Sequence, residues 1–310
     1  MLCQNKNRRL GMLDDLTNLQ ALLKDSTLLA TKGYIAGEWC DGENGQTFPV
    51  YNPARGDVIT DVADISRTQT AEAISIAEKA QKLWAARPAK ERSNLLRNWY
   101  NLMMENQEDL ATILTAEQGK PIEEAKGEIA YGASFIEFFA EEAKRVYGET
   151  IPGHQSDKRI TVLKQPVGVA ASITPWNFPN AMITRKAGPA LAAGCAFIAR
   201  PAAETPLSAL AMGILADRAG LPKGILSIIP SSRSSEIGKE FCENPIIRKL
   251  TFTGSTEVGR ILLKQASEQI MKCSMELGGN APFIVFDDAD IDAAVEGRSE
   301  ERRVGKECER

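Results

Sequence analysis

Val167-Gly168-Val169-Ala170-Ala171-Ser172-Ile173 is a short apolar run, and Thr174-Pro175-Trp176-Asn177-Phe178-Pro179 follows it directly. A continuous apolar stretch of this length, bounded by turn residues, reads as a buried strand. The Trp-Asn pair that follows is held between prolines, which is not a packing pattern. The prolines stiffen a loop at the strand's end and fix an amide side chain there. An asparagine NH₂ so held can donate to a developing oxyanion.

Downstream the pattern alternates. Residues 180–194 read as an alanine-rich helix, 195–200 as a strand, 207–220 as a helix and 225–229 as a strand. A short helix over 236–243, a strand over 250–252 and a helix over 256–270 follow. A further strand is expected over 281–286 and a helix over 291–295. Buried strands alternating with helices predict an α/β fold with a parallel sheet and right-handed crossovers. Open parallel sheets bind ligands at the carboxyl ends of their strands.

Upstream, residues 13–29 carry a weak helical pattern. Short strands are expected over 33–39 and 47–52, around the turn Asp41-Gly42-Glu43-Asn44-Gly45. Helical spacing then covers 68–86, 95–106, 110–118 and 122–147. In the last of these, Tyr131, Phe135, Phe138 and Phe139 form an aromatic stripe expected to face the core. Residues 158–164 alternate as a projecting strand does. From Arg298 to Arg310 the character changes: nine of thirteen residues are charged, and this tail is expected to be foreign to the fold.

The 310 residues are 43% hydrophobic and 25% charged with net charge −4, ordinary for a globular protein and against a nucleic-acid partner. No apolar run has membrane-spanning length. Lys6, Arg8 and Arg9 are followed by no apolar core, so the expectation is a cytoplasmic protein without a signal peptide. Six cysteines without regular spacing are expected to be reduced thiols, four or more of them in the core. The single histidine, His154, reads as part of a surface turn, and no metal site is expected. Gly254 and Gly259 are spaced like P-loop glycines, but Arg260-Ile261 follow where Lys-Ser/Thr would be required.

Pro175-Trp176-Asn177-Phe178-Pro179, Phe252-Thr253-Gly254-Ser255-Thr256-Glu257-Val258-Gly259 and Met275-Glu276-Leu277-Gly278-Gly279-Asn280 together resemble the signature set of the aldehyde dehydrogenase superfamily. The wording is most similar to its NAD(P)-dependent succinate-semialdehyde branch. Glu117-Gln118-Gly119-Lys120-Pro121 and the stretch 181–194 extend the resemblance, which covers about 34–297. It implies a Rossmann-like cofactor-binding domain over 32–147 and 165–275, preceded by an N-terminal extension over 1–31. An oligomerisation arm would span 148–164, the start of a catalytic domain 276–297, and a tail outside the family 298–310.

The resemblance also implies chemistry. Such enzymes oxidise an aldehyde through a thiohemiacetal on a cysteine, pass hydride to a nicotinamide and hydrolyse the thioester. Asn177 matches the oxyanion amide and Glu276 the general base. Trp176, Asn177, Pro201, Ala202, Gly254, Ser255 and Leu277 match cofactor contacts. Arg200 stands where a lysine reaches the adenosine ribose, and Ala203 where NAD-preferring members often carry glutamate. An arginine with a small neutral neighbour is compatible with a 2′-phosphate, so NADP is expected at least as well as NAD. Arg185 matches the arginine that pairs with the substrate's distal carboxylate. The segment bearing the nucleophilic cysteine has no counterpart, and Cys308 lacks its context. The expected function is oxidation of succinate semialdehyde to succinate in 4-aminobutyrate breakdown, by a dimer or tetramer when full length, with this chain itself inactive. The alternatives are a glutarate-semialdehyde dehydrogenase and a silent fragment that binds cofactor or docks to subunits.

Overall fold

The computed structural model describes residues 16–280 and 282–300. They fall into two compact units that divide between Leu277 and Gly278. The first begins with α1 (Leu16–Leu22) and two antiparallel hairpins. In the first hairpin β1 (Gly33–Ile35) pairs with β2 (Glu38–Cys40); in the second, β3 (Thr47–Tyr51) pairs with β4 (Val58–Ala63). The stretch 33–39, read as one strand, therefore contains a turn. Ala36 and Gly37 take positive φ of 55° and 82° there, a conformation that lets the chain reverse within two residues.

Four helices follow: α2 (Arg67–Ala85), α3 (Ala89–Glu105), α4 (Gln107–Gln118) and α5 (Ile122–Glu142). Ser66 and Gln69 form a reciprocal capping box that starts α2. Gly119, at φ 85°, ends α4. On α5 the buried face is Ala125, Ile129, Ala133, Ile136 and Ala140. The aromatic stripe is divided: Tyr131 is 47% and Phe138 58% exposed, while Phe135 is half-buried and Phe139 packs against the core. Small residues occupy the inner face because α5 packs closely on α3 and on α6 (Ala181–Ala192). The arm is a two-stranded ribbon, β5 (Glu149–Pro152) against β6 (Arg159–Val162), exposed along both strands.

The central sheet alternates as expected. β7 (Val169–Ile173) leads through α6 to β8 (Ala196–Arg200), then through α7 (Pro206–Arg218) to β9 (Leu226–Ile228). The chain crosses back through α8 (Ser234–Glu243) to β10 (Ile247–Gly254), then through α9 (Thr256–Ser267) to β11 (Lys272–Leu277). The order β11-β10-β7-β8-β9 is parallel, and β1 and β2 add an antiparallel edge. β11 carries Glu276 and is a strand that the sequence pattern does not predict. β7 and β8 are buried at every position and α7 on most of its surface, consistent with helices covering both faces. Helices α2, α8 and α9 pack together near one face, while α6 and α7 are backed by α3, α4 and α5.

Cys195 and Cys242 are buried, Cys40 and Cys273 half-buried, so the described thiols are core residues only in part. His154 is exposed. In the second unit, residues 282–286 are not a strand; α10 (Ile291–Glu300) is helical. Ala281 and the tail beyond residue 300 lie outside the described residues. Among those described there is no cluster of metal-ligating side chains, and no helix is long and apolar enough to cross a membrane.

Candidate active site

The strand order reverses between β7 and β10, because β7 leads to β8 on one side while β10 arrives on the other. A crevice is expected outside the carboxyl ends at such a switch point. The ladders fix the sequence of groups along that edge. Glu276 lies opposite Thr253, and Leu277 opposite Gly254. Phe252 lies opposite Ile173, and Ile173 opposite Arg200. From β11 to β8 is three strand spacings, roughly 14 Å.

Trp176, Asn177 and Phe178 form the exposed tip of the loop after β7. The loop is gripped from both sides. Thr174 N–H donates to Arg200 O at 3.2 Å. Lys120, from the turn between α4 and α5, donates through Nζ to Asn177 O at 3.1 Å and to Glu128 Oε2 at 2.7 Å. The ammonium also lies 3.9 Å from the Phe178 ring centroid. Glu128 Oε1 then accepts from the backbone N–H of Asn180 at 2.9 Å and of Ala181 at 3.2 Å, capping α6. Burial raises the Glu128 carboxyl above the usual range, while Lys120 and the two amides pull the other way. A buried ion pair thus fixes the backbone of Asn177 and the start of α6 as one body.

α6 carries Arg185 and Lys186. Arg185 is half-buried, its guanidinium 5.4 Å from the Phe135 ring centroid. Lys186 was not singled out from the sequence. It is 8% exposed and donates to Thr253 Oγ1 at 2.8 Å. Burial brings its ammonium down to about 8, Arg185 adds repulsion, and Glu276 opposes the shift. Lys186 is therefore electrostatically coupled to the exposed carboxylate of Glu276, the candidate general base. A lysine on a helix face of Ile183, Ala187 and Leu191 was the available signal, since a buried lysine needs a partner.

The remaining motif residues stand along the same edge, Ser255 and Leu277 at β10–β11 and Arg200 at β8. Ser255 caps α9, accepting from Val258 N–H at 3.3 Å. A Cβ at Gly259 would meet Leu277 Cδ2 at 2.5 Å, so this glycine lets Leu277 lie over the first turn of α9. Arg200 is 7% exposed, and its Nη2 donates to Ser231 O at 2.7 Å. Pro201 and Ala202 are buried and Ala203 half-buried beside it. Arg200 Nε, Thr174 Oγ1 and Thr205 Oγ1 are buried without a hydrogen-bond partner. Orphaned donors at a sheet's carboxyl edge suit a polar ligand such as a dinucleotide. α7 differs: Glu117 closes its N-terminus, accepting from the N–H groups of Leu207 and Ser208 at 2.7 Å each. Burial pushes Glu117 up to about 8 against those amides.

None of the four described cysteines has the environment of a nucleophile. Burial raises each thiol, Cys242 to about 12.

Residues 39–303 match the aldehyde dehydrogenase family. The chain is 60% identical over 288 residues to a glutarate-semialdehyde dehydrogenase of Pseudomonas aeruginosa, covering 92% of this chain and 59% of that protein. It is 58% identical to the NADP(+) succinate-semialdehyde dehydrogenase of Escherichia coli, again over 92% of this chain and 60% of the other. A crystal structure of succinate-semialdehyde dehydrogenase from Burkholderia pseudomallei superposes with a TM-score of 0.86 at 56% identity, covering 89% of this chain and 57% of that one. The chain thus spans about 60% of the length of these relatives. On the family match, the strand order and the motifs at the sheet's carboxyl edge, the chain belongs to the aldehyde dehydrogenase family.

Proposed function

We propose that this chain is the cofactor-binding part of an NADP- or NAD-dependent dehydrogenase that oxidises a semialdehyde bearing a distal carboxylate. Succinate semialdehyde is the first candidate and glutarate semialdehyde the alternative. The observation that carries the reading is the juxtaposition on α6: Arg185 and Lys186 stand beside the braced Asn177 loop, with Glu276 two strands away. A bound NAD(P)⁺, held by Trp176, Pro201, Ala202, Ala203, Gly254, Ser255 and Leu277, would supply the hydride acceptor. The attacking thiol has no counterpart among the described cysteines, and the chain's own groups take the remaining roles. The Asn177 NH₂ donates to the oxygen that gains charge at the aldehyde carbon. Glu276 accepts a proton from the attacking group. Arg185 offers two parallel N–H donors to a carboxylate, a geometry that selects acid aldehydes over neutral ones. The similarity to enzymes named for succinate and for glutarate semialdehyde supports that class of substrate.

A second reading, a silent cofactor-binding chain, is favoured by the raised thiols of the described cysteines. One experiment separates them. Formation of reduced nicotinamide is followed with succinate semialdehyde, glutarate semialdehyde and uncharged butanal, using the chain, Arg185→Gln and Cys308→Ala. A preference for the acid aldehydes that disappears in Arg185→Gln supports the enzyme. A preference that survives that change sinks the assigned role of Arg185. Binding of NADP⁺ without turnover supports the silent reading.

A further inference from the structure

At the root of the β5–β6 ribbon, where the chain enters it through residues 143–146 and leaves it through 164–166, lies an open cavity of about 610 Å³. Ala193 in its lining precedes β8 and Pro166 precedes β7, so the cavity sits at the amino ends of these strands. The candidate active site occupies the opposite edge. Arg92, on the first turn of α3, forms part of the wall and is only 8% exposed. Its Nε donates to Ala192 O at 3.2 Å, and its Nη1 donates to Arg87 O and, at 3.5 Å, to Ala85 O. Ala192 and Ala85 are the last residues of α6 and α2. Nη2 donates to nothing among the described residues. Lys144, Lys164 and Gln165, all exposed, complete the polar lining.

We propose that this cavity is a binding site for a small oxyanion, a phosphate or a carboxylate, held by Arg92 together with Lys144, Lys164 and Gln165. Both anions offer the same chemistry, paired oxygens that accept from a guanidinium and from ammonium groups. The site is independent of the reading of the carboxyl edge as a dinucleotide site.

Charge, donors and room each support it. An arginine stays protonated in a protein, so a cation is buried here, and a buried charge is costly without a partner. Burial lowers the Arg92 pKa, and the influence opposing it comes from the Cys195 thiol and not from a carboxylate. Carbonyls at the ends of α2 and α6 carry partial negative charge that offsets part of this cost. They engage Nε and Nη1, and the two N–H groups of Nη2 are left for a ligand. The lysines add further positive charge. Lys144 pairs with Glu141 at 2.9 Å, but Glu141 also accepts from Arg97 at 2.7 Å, and Glu142 is taken by Arg145 at 3.1 Å. Lys164 has no ion pair among the described residues. The carboxylates nearest in the chain are thus committed elsewhere, and the cavity keeps a positive balance. Ala86 and Ala193 present only methyl groups to it, which leaves its volume within the range of small-molecule sites. A bound anion would tie the first turn of α3 to both ends of the ribbon.

The test is isothermal titration of the 310-residue chain with inorganic phosphate, succinate and acetate, at one ionic strength held with chloride. A saturable phase with a dissociation constant near or below about 1 mM is expected for phosphate or for succinate, and the tighter of the two identifies the oxyanion. That phase should survive Arg185→Gln, which alters only the opposite edge. Lys164→Gln should weaken it about tenfold, the scale of one charge-assisted contact. Arg92→Lys, checked for folding by its thermal midpoint, should weaken it at least as much, because an ammonium lacks the planar fork. If Arg92→Lys does not fold, the exposed Lys164 still decides. Saturating ligand should also slow proteolysis within 143–166. Absence of a saturable phase with all three anions overturns the proposal. So does an affinity unchanged in Lys164→Gln, or a single phase that is lost in Arg185→Gln.

Discussion

Lys186 has its ammonium on one hydroxyl and within the field of Glu276, in a site that burial makes costly for charge. Its folded pKa of about 8 lies below the unfolded value of 10.5. Below pH 8 both states hold the proton and the penalty is present in full. Between 8 and 10.5 the unfolded chain keeps a proton that the folded chain has shed, so stability rises with pH across that window. Relative to Lys186→Met, the wild type should gain on the order of 3 kcal/mol from pH 7 to 10.5. Urea unfolding of both proteins at matched pH measures it, and parallel profiles would show that Lys186 titrates normally. The sequence displayed this residue inside a helix but not its partner. Thr253 is 67 positions away, and only the β7–β10 neighbourhood brings them together. Asn177, by contrast, is legible at the end of an expected strand, whereas Glu276 is reached only through the motif that resembles the family. Lys120 is not legible, since its hydrogen bond to Asn177 runs to a backbone atom distant in the chain.

At the scale of elements, α6 depends on its neighbours more than on its own residues. It has no side-chain cap of its own, and Pro189 lies inside it. Glu128 closes its first turn. Trp84 Nε1 donates to Leu191 O at 2.9 Å, and Arg92 Nε to Ala192 O at 3.2 Å, so the last turn is closed from α2 and α3. The contact with α5 is equally exacting. A Cβ at Gly132 would meet Asn180 Oδ1 at 2.3 Å and Ala181 Cα at 3.3 Å. Gly132→Ala should cost about 1–3 kcal/mol and loosen the Asn177 loop, read as a lower urea midpoint with greater protease sensitivity near 174–180. An unchanged midpoint would mean that the two helices can separate freely. Helices and β-α-β alternation were legible because spacing and turn residues encode them locally. The tight turn of β1–β2, the strand β11 and the outward placement of Tyr131 and Phe138 were not. A positive-φ alanine, an edge ladder and a helix facing two neighbours are set by tertiary context.

Over the whole molecule, the apolar surface left exposed is unevenly placed. Ile151, Ile160, Val162 and Leu163 lie on or beside the β5–β6 ribbon, and Val146 and Tyr147 precede it. A ribbon exposed on both strands with such side chains suits pairing with another subunit. Sedimentation velocity should show concentration-dependent association that Ile160→Glu with Val162→Glu reduces; association unchanged by the pair would place the contact elsewhere. The clamps on α6 have a consequence of another kind. Both of its ends are tied by side chains of helices that themselves line the main core, so its amides have no cheap route to solvent. Amide hydrogen exchange is therefore expected to place the helix carrying Arg185 and Lys186 among the slowest-exchanging segments. In that arrangement the site cannot fray on its own: it persists, or is lost, together with the fold.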